Sequence, residues 1–139
     1  MKTSLVLILM MATLLLAGAA EAQQAAGFRP VASVIQLMKS IVIPTSEAVF
    51  GVAKEPPKND AEWAALQDQA ITLAESGNLL MLRPPSKDRS NWMKYSRALV
   101  DAGESAGQAA KAKNVDGVLG AGDVIYAACD GCHQQYMKK

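Results

Sequence analysis

Cysteine and histidine are scarce in this chain, whose 139 residues include two cysteines and one histidine. So few side chains leave nothing for a disulfide network, a separate thiol nucleophile or a bis-histidine metal site. An excess of one charge is also lacking, because the formal net charge is +1. There is no basic tract for nucleic acid and no strong field for membrane lipid, and the scattered carboxylates give no support for an enzyme.

The three rare side chains stand together near the end of the chain, in Cys129-Asp130-Gly131-Cys132-His133. C-x-x-C-H is the attachment signature of c-type haem, in which two thiols add to the vinyl groups and the imidazole binds the iron. Positions i, i+3 and i+4 share one face of a helix. Cys129, Cys132 and His133 would therefore face one flat ligand, which predicts one covalent haem c per chain.

Other interpretations of the motif remain open. A redox dithiol of the thioredoxin type usually opens a helix within a βαβ pattern, and no strand pattern precedes this motif. A structural zinc site generally takes four protein ligands, so it would need a carboxylate or a second chain. A disulfide between Cys129 and Cys132 on one helix would be strained. A chance occurrence in a helical interaction protein is the most distant alternative.

The first residues predict export. Met1-Lys2-Thr3 is a short positive start, an apolar run follows from Ser4 to Leu16, and Ala20-Glu21-Ala22 is an A-x-A cleavage pattern. The run is shorter than the roughly 20 residues of a membrane span. We expect a signal peptide over residues 1–22 and one domain over 23–139, located in the periplasm and free of the membrane after cleavage; an uncleaved anchor is the alternative.

Apolar residues recur at alternating spacings of three and four, which is typical of bundle helices. The second helix is expected from Asp60 to Leu82, with Asn59 and Glu62 as a capping pair. The third is expected from Ser90 to Lys113, with Ser90 as its cap, and the fourth follows the cap Asn114. The fourth helix has the seam Val115, Val118, Gly122, Ile125, Cys129, Cys132 and Tyr136. The second and third have the seams Trp63, Leu66, Ala70, Leu73, Gly77, Leu80 and Trp92, Tyr95, Leu99, Ala102, Ala106, Ala109.

The first helix is expected to begin near Pro30 and to kink or break near Ile43, because Pro44 has no backbone donor. Its expected seam is Val31, Val34, Met38 and Ile41. Four such helices with short loops predict an all-α fold, an antiparallel up-down-up-down four-helix bundle. In that order the motif shares one end of the bundle with Met38, Leu80, Met81, Trp92 and Met93.

A C-terminal C-x-x-C-H on the last helix of a small exported four-helix protein resembles the class II cytochromes c, the cytochrome c′ family. The resemblance is most specific from Gly120 to Tyr136. It implies that Cys129 and Cys132 form the thioethers and that His133 is the proximal iron ligand. One position departs from the family, which often has Arg four residues after the His, where this chain has Met137.

The same resemblance divides the possible functions by what faces the iron opposite His133. A Met from the first helix implies a low-spin haem, and Met38 stands where that ligand is expected. His/Met ligation suits electron transfer with redox partner proteins. Met38 as simple core packing is the alternative, with a five-coordinate haem that binds a diatomic gas, NO or CO. Members of the family often form homodimers through their first two helices.

Overall fold

The structure is a computed structural model that describes residues 29–85 and 87–137. Its contacts divide the chain into two units, Met1–Val31 and Ala32–Lys139. The expected signal peptide, residues 1–22, lies outside the described residues. The account that follows therefore concerns the second unit, which contains the C-x-x-C-H motif.

Four helices make up this unit, and the described residues contain no strand. Helix α1 runs through three consecutive segments, Val34–Leu37, Met38–Val42 and Ile43–Gly51, and the later helices are α2 (Asp60–Met81), α3 (Arg89–Lys111) and α4 (Val115–Tyr136). The all-α prediction is confirmed for this part of the chain. None of the described helices is both long and apolar enough to span a bilayer.

The expected start of α1 near Pro30 is wrong. Ser33 caps the helix instead, because its side chain accepts a hydrogen bond from the amide of Gln36 while the Gln36 side chain accepts one from the Ser33 amide. This reciprocal pair satisfies two amides that the first helical turn leaves without partners. The helix therefore begins at Val34.

Pro44 disturbs α1 as its sequence position predicts, but the helix widens rather than breaks. Residues Met38–Val42 form a π turn, in which the Ile43 amide donates to the Met38 carbonyl, five residues earlier. Proline lacks an amide hydrogen, and its ring crowds the carbonyl four residues before it. The wider turn accommodates Pro44 within a continuous helix.

The π turn also changes which side of α1 is buried. Leu37 and Val42, five residues apart, are buried, and the normal spacing resumes after Val42. The buried residues of α1 and its end are Leu37, Val42, Thr45, Val49 and Val52. The expected seam is confirmed only in part: Val34, Met38 and Ile41 are half-buried and pack against the core, whereas Val31 is 85% exposed.

Two of the three capping residues predicted for α2, α3 and α4 are confirmed. Asn59 accepts from the amide of Glu62, and Asn114 accepts from the amide of Gly117, as expected. The cap of α3 is Asp88 rather than Ser90. Asp88 has a left-handed backbone (φ 54°), a conformation that Asp tolerates better than most residues, and its carboxylate accepts from the Asn91 amide.

Packing is most extensive between α2 and α3 and next between α3 and α4, while α1 packs on α2 and, through Ile43–Gly51, on α4. Small residues bring α2 and α3 close together. A Cβ on Gly103 would lie 2.8 Å from the Ala74 nitrogen. All six predicted seam residues of α2 are buried, which confirms the heptad interpretation of that helix.

Candidate functional site

The C-x-x-C-H motif lies near the C-terminal end of α4. Cys129 and Cys132 are half-buried free thiols that pack against the hydrophobic core, and His133 is exposed. Burial raises the pKa of the Cys129 thiol; burial and then the neighbouring Cys129 sulfur raise the pKa of Cys132. The three side chains therefore lie at the border between the core and solvent, with both thiols protonated at neutral pH.

These surroundings differ from those of reactive thiols and metal sites. A redox-active dithiol needs a lowered pKa, which a helix N-terminus or a nearby cation provides. Here the thiols lie near a helix C-terminus, where the dipole disfavours a thiolate. Within residues 29–85 and 87–137, no three His, Cys, Asp or Glu side chains lie close enough to bind a common metal ion.

Helix α3 packs closely against the middle of the motif. A Cβ on Gly131 would lie 2.7 Å from Cε1 and 3.2 Å from the hydroxyl oxygen of Tyr95. Real Cβ atoms essentially never come that close to another heavy atom. The packing on Tyr95 therefore leaves no room for a Cβ at position 131 unless the ring or the helix moves.

The end of α4 is bound to the start of α3. The Tyr136 hydroxyl donates a hydrogen bond of 2.7 Å to the backbone carbonyl of Asp88, and the Gln135 amide donates to the Asp88 carboxylate. The Tyr136 ring meets Trp92 edge to face, with centroids 5.1 Å apart. Desolvation, followed by the Asp88 carboxylate, raises the pKa of the Tyr136 phenol, so it keeps the proton that it donates.

The side chains of Arg83 and Trp92 join the end of α2 to the residues before α1 and to the first turn of α3. The Arg83 guanidinium donates from Nε to the Ala32 carbonyl (2.7 Å) and from Nη1 to the Leu79 carbonyl (2.8 Å). The buried indole of Trp92 donates to the Leu80 carbonyl, also at 2.8 Å. The motif end, as the term is used below, consists of the C-x-x-C-H motif and the residues of these contacts, which are Ala32, Leu79, Leu80, Arg83, Asp88, Trp92 and Tyr136.

The predicted neighbours of the haem differ in how they relate to the motif. Leu80 and Trp92 are buried, Met81 and Met93 are half-buried, and Trp92 reaches α4 through its contact with Tyr136. Met38 is half-buried in the π turn and packs on the core. The main packing partner of the π turn outside α1 is α2 rather than α4.

The donor set fits a covalently held haem. Two free thiols and one imidazole follow one another on a single helix at i, i+3 and i+4, which is the set that c-type attachment requires. The thiols meet the core while the imidazole is accessible from solvent. Cys129, Cys132 and His133 are therefore the residues that would hold the group.

An open concavity of about 600 Å³ lies at the other end of α2, away from the motif. It is formed by the end of α1, the loop that follows and the first turns of α2, with Val52, Pro56 and Leu66 among its lining residues. The Lys58–Glu55 ion pair lies at its rim, and both side chains are strongly exposed. It contains none of the predicted site residues.

No family model, curated protein or solved structure matches the chain. The functional assignment therefore depends on the motif and on the residues that surround it.

Proposed function

We propose that the protein is an exported c-type haem protein that transfers electrons in the periplasm. The observation that carries the proposal is the placing of the only two cysteines and the only histidine of the chain on consecutive turns of α4. The proposed architecture is the up-down-up-down bundle of the class II cytochromes c. Two contacts support that order. Arg83 after α2 bonds to Ala32 before α1, and Tyr136 at the end of α4 bonds to Asp88 at the start of α3, as expected for antiparallel neighbours.

Each site residue has a defined task in this proposal. Cys129 and Cys132 would hold the haem covalently, each by adding its S–H bond across one vinyl double bond, sulfur to one carbon and hydrogen to the other, so that nothing is released. The imidazole of His133 and the thioether of Met38 would bind the iron. When bound, the haem supplies a one-electron redox centre, and His/Met ligation raises its potential.

The way that α1 packs on α4 supports a ligand from α1. A Cβ on Gly122 would lie 3.7 Å from the ring of Phe50, so α1 covers α4 at that position. Gly122 and His133 are eleven residues apart, which is about three turns of 3.6 residues. They share one face of α4, and the side of α4 that carries His133 is thus the side that α1 covers farther along the helix.

Absorption spectra of the purified protein in both oxidation states test the proposal. We expect a low-spin haem spectrum with a sulfur-to-iron charge-transfer band in the oxidised form. Met38→Ala should remove that band, whereas the matched variants Met81→Ala and Met93→Ala should keep it. A protein without a haem absorption band would refute the assignment, and a high-spin spectrum of the unmodified protein would refute the role of Met38.

A five-coordinate haem that binds NO or CO is the second candidate. The observation in its favour is the π turn, which buries Leu37 and Val42 rather than Met38 and packs mainly on α2. In that case Met38→Ala leaves the spectrum unchanged, and CO binds the reduced iron without displacing a protein ligand. The same set of spectra therefore decides between the two functions.

A further inference from the structure

The net charge of +1 conceals a separation of charge along the molecule. Divided at the midpoints of the four helices, the described chain has a half that contains the motif (32–42, 71–85, 87–100 and 126–137) and a far half (43–70 and 101–125). The motif half has six basic and three acidic residues, a net charge of +3. These are Lys39, Arg83, Lys87, Arg89, Lys94 and Arg97 against Glu75, Asp88 and Asp130.

The far half has the opposite sign. It has four lysines and nine carboxylates, a net charge of −5. These are Lys54, Lys58, Lys111 and Lys113 against Glu47, Glu55, Asp60, Glu62, Asp68, Asp101, Glu104, Asp116 and Asp123. Two of the four lysines, Lys58 and Lys113, are paired with Glu55 and Asp60. The molecule thus has a strong dipole whose positive end holds the C-x-x-C-H motif.

The positive charges of the motif half are accessible. Five of the six basic side chains are exposed, and only Arg83 is half-buried and held by backbone carbonyls. The five are Lys39 on α1, Lys87 in the loop before α3, and Arg89, Lys94 and Arg97 on α3. Exposed apolar side chains lie in the same half, with Ile35 67% and Met137 63% exposed. Protein–protein interfaces combine an apolar centre with a polar rim, and side chains of both kinds are exposed in this half.

We propose that the motif end docks on an acidic surface of a partner protein. That this partner is a redox protein rests on the proposed electron transfer, whereas the docking itself follows from the charges alone. Complementary charge steers encounters and raises association rates about 10- to 1,000-fold at low salt. The basic side chains lie on α1, a loop and α3, rather than along one amphipathic helix as in proteins that lie on membranes. The dipole would present the motif to the partner first.

A fluorescein-labelled oligoglutamate peptide serves as the probe, with fluorescence anisotropy at low and high salt as the measurement. The test variant combines Lys87→Gln and Arg97→Gln, and the control combines Lys54→Gln and Lys111→Gln. All four side chains are exposed and lie outside the described ion pairs Lys58–Glu55 and Lys113–Asp60. Both variants lower the net charge by two, so they are matched in charge and differ in the half of the molecule that loses it.

The test variant should bind the peptide about 2- to 30-fold more weakly at low salt, as expected for the loss of two exposed charge contacts. The control should bind within about twofold of the unmodified protein, and salt should weaken all binding. Equal effects of the two variants, or none, would overturn the proposal. Binding to phosphatidylglycerol vesicles but not to the peptide would overturn it in favour of a membrane. Peptide binding by a protein without a haem band would contradict the proposed function and leave the docking surface intact.

Discussion

Replacing Gly131 by alanine tests the close packing of α3 on the motif. The new Cβ would lie 2.7 Å from Cε1 of Tyr95 and 3.1 Å from its Cζ, so the ring or the helix has to move. Overpacking of this kind costs about 1–3 kcal/mol. Alanine is also about 1 kcal/mol more favourable than glycine inside a helix. The two effects oppose each other, and we expect the free energy of unfolding to fall by about 0–2 kcal/mol.

Gly120 provides a matched control on the same helix, because a Cβ there would meet nothing within 4 Å. Gly120→Ala gains the helical preference without a clash and should raise the free energy of unfolding by about 1 kcal/mol. The difference between the two variants therefore isolates the contact with Tyr95, at about 1–3 kcal/mol. Urea unfolding followed by far-ultraviolet circular dichroism measures both.

A third variant removes the ring that causes the clash. In a Tyr95→Ala background, Gly131→Ala has no ring to meet and should become stabilising by about 1 kcal/mol, as at Gly120. The double-mutant cycle should thus give a coupling of about 1–3 kcal/mol between positions 95 and 131. If Gly131→Ala stabilises the unmodified chain as much as Gly120→Ala does, the close packing of α3 on the motif is not present in solution.

Two smaller changes test how the helix ends are held. Tyr136→Phe removes an exposed hydrogen bond to the Asp88 carbonyl but keeps the ring contact with Trp92, so the free energy of unfolding should fall by at most about 1 kcal/mol; a larger loss in urea unfolding would contradict this. Asn114→Ala removes the cap on the Gly117 amide and should cost about 1 kcal/mol. Asn114→Ser keeps a capping oxygen and should recover most of that loss, and an equal loss in both variants would contradict the role of the cap.

A helix with a regular heptad repeat, such as α2, could be predicted from the sequence. In α2 the spacing of three and four identified six buried residues, from Trp63 to Leu80, because a regular helix keeps positions of that spacing on one face. In α1 the same reasoning was only partly right. The π turn before Pro44 inserts an extra residue into the repeat; Leu37 and Val42 are fully buried, while the expected residues Met38 and Ile41 are half-buried against the core. Pro44 indicates a disturbance but not its form.

The charge separation could not be found by counting residues along the sequence. The basic segment from Arg83 to Arg97 is adjacent in sequence to acidic segments, and the total nearly cancels. Only the contacts that bring Arg83 to Ala32 and Asp88 to Tyr136 show that this segment lies beside the motif. A net charge near zero therefore says little about a surface until the fold is known.

The contacts of α3 also restrict how the motif can be used. On a helix with 3.6 residues per turn, Gly131 and Tyr136 lie on either side of Cys132, and both contact α3, through Tyr95 and Asp88. Around the helix axis, Cys129 lies between Cys132 and His133, and His133 is exposed. Because α3 covers the Cys132 side of α4, a ligand bound by His133 has to approach from the side away from α3. On that side Phe50 of α1 packs at Gly122, which agrees with the proposed ligand from α1. The π turn that contains Met38 packs mainly on α2, so the spectrum of Met38→Ala is the measurement that decides whether its sulfur binds the proposed haem.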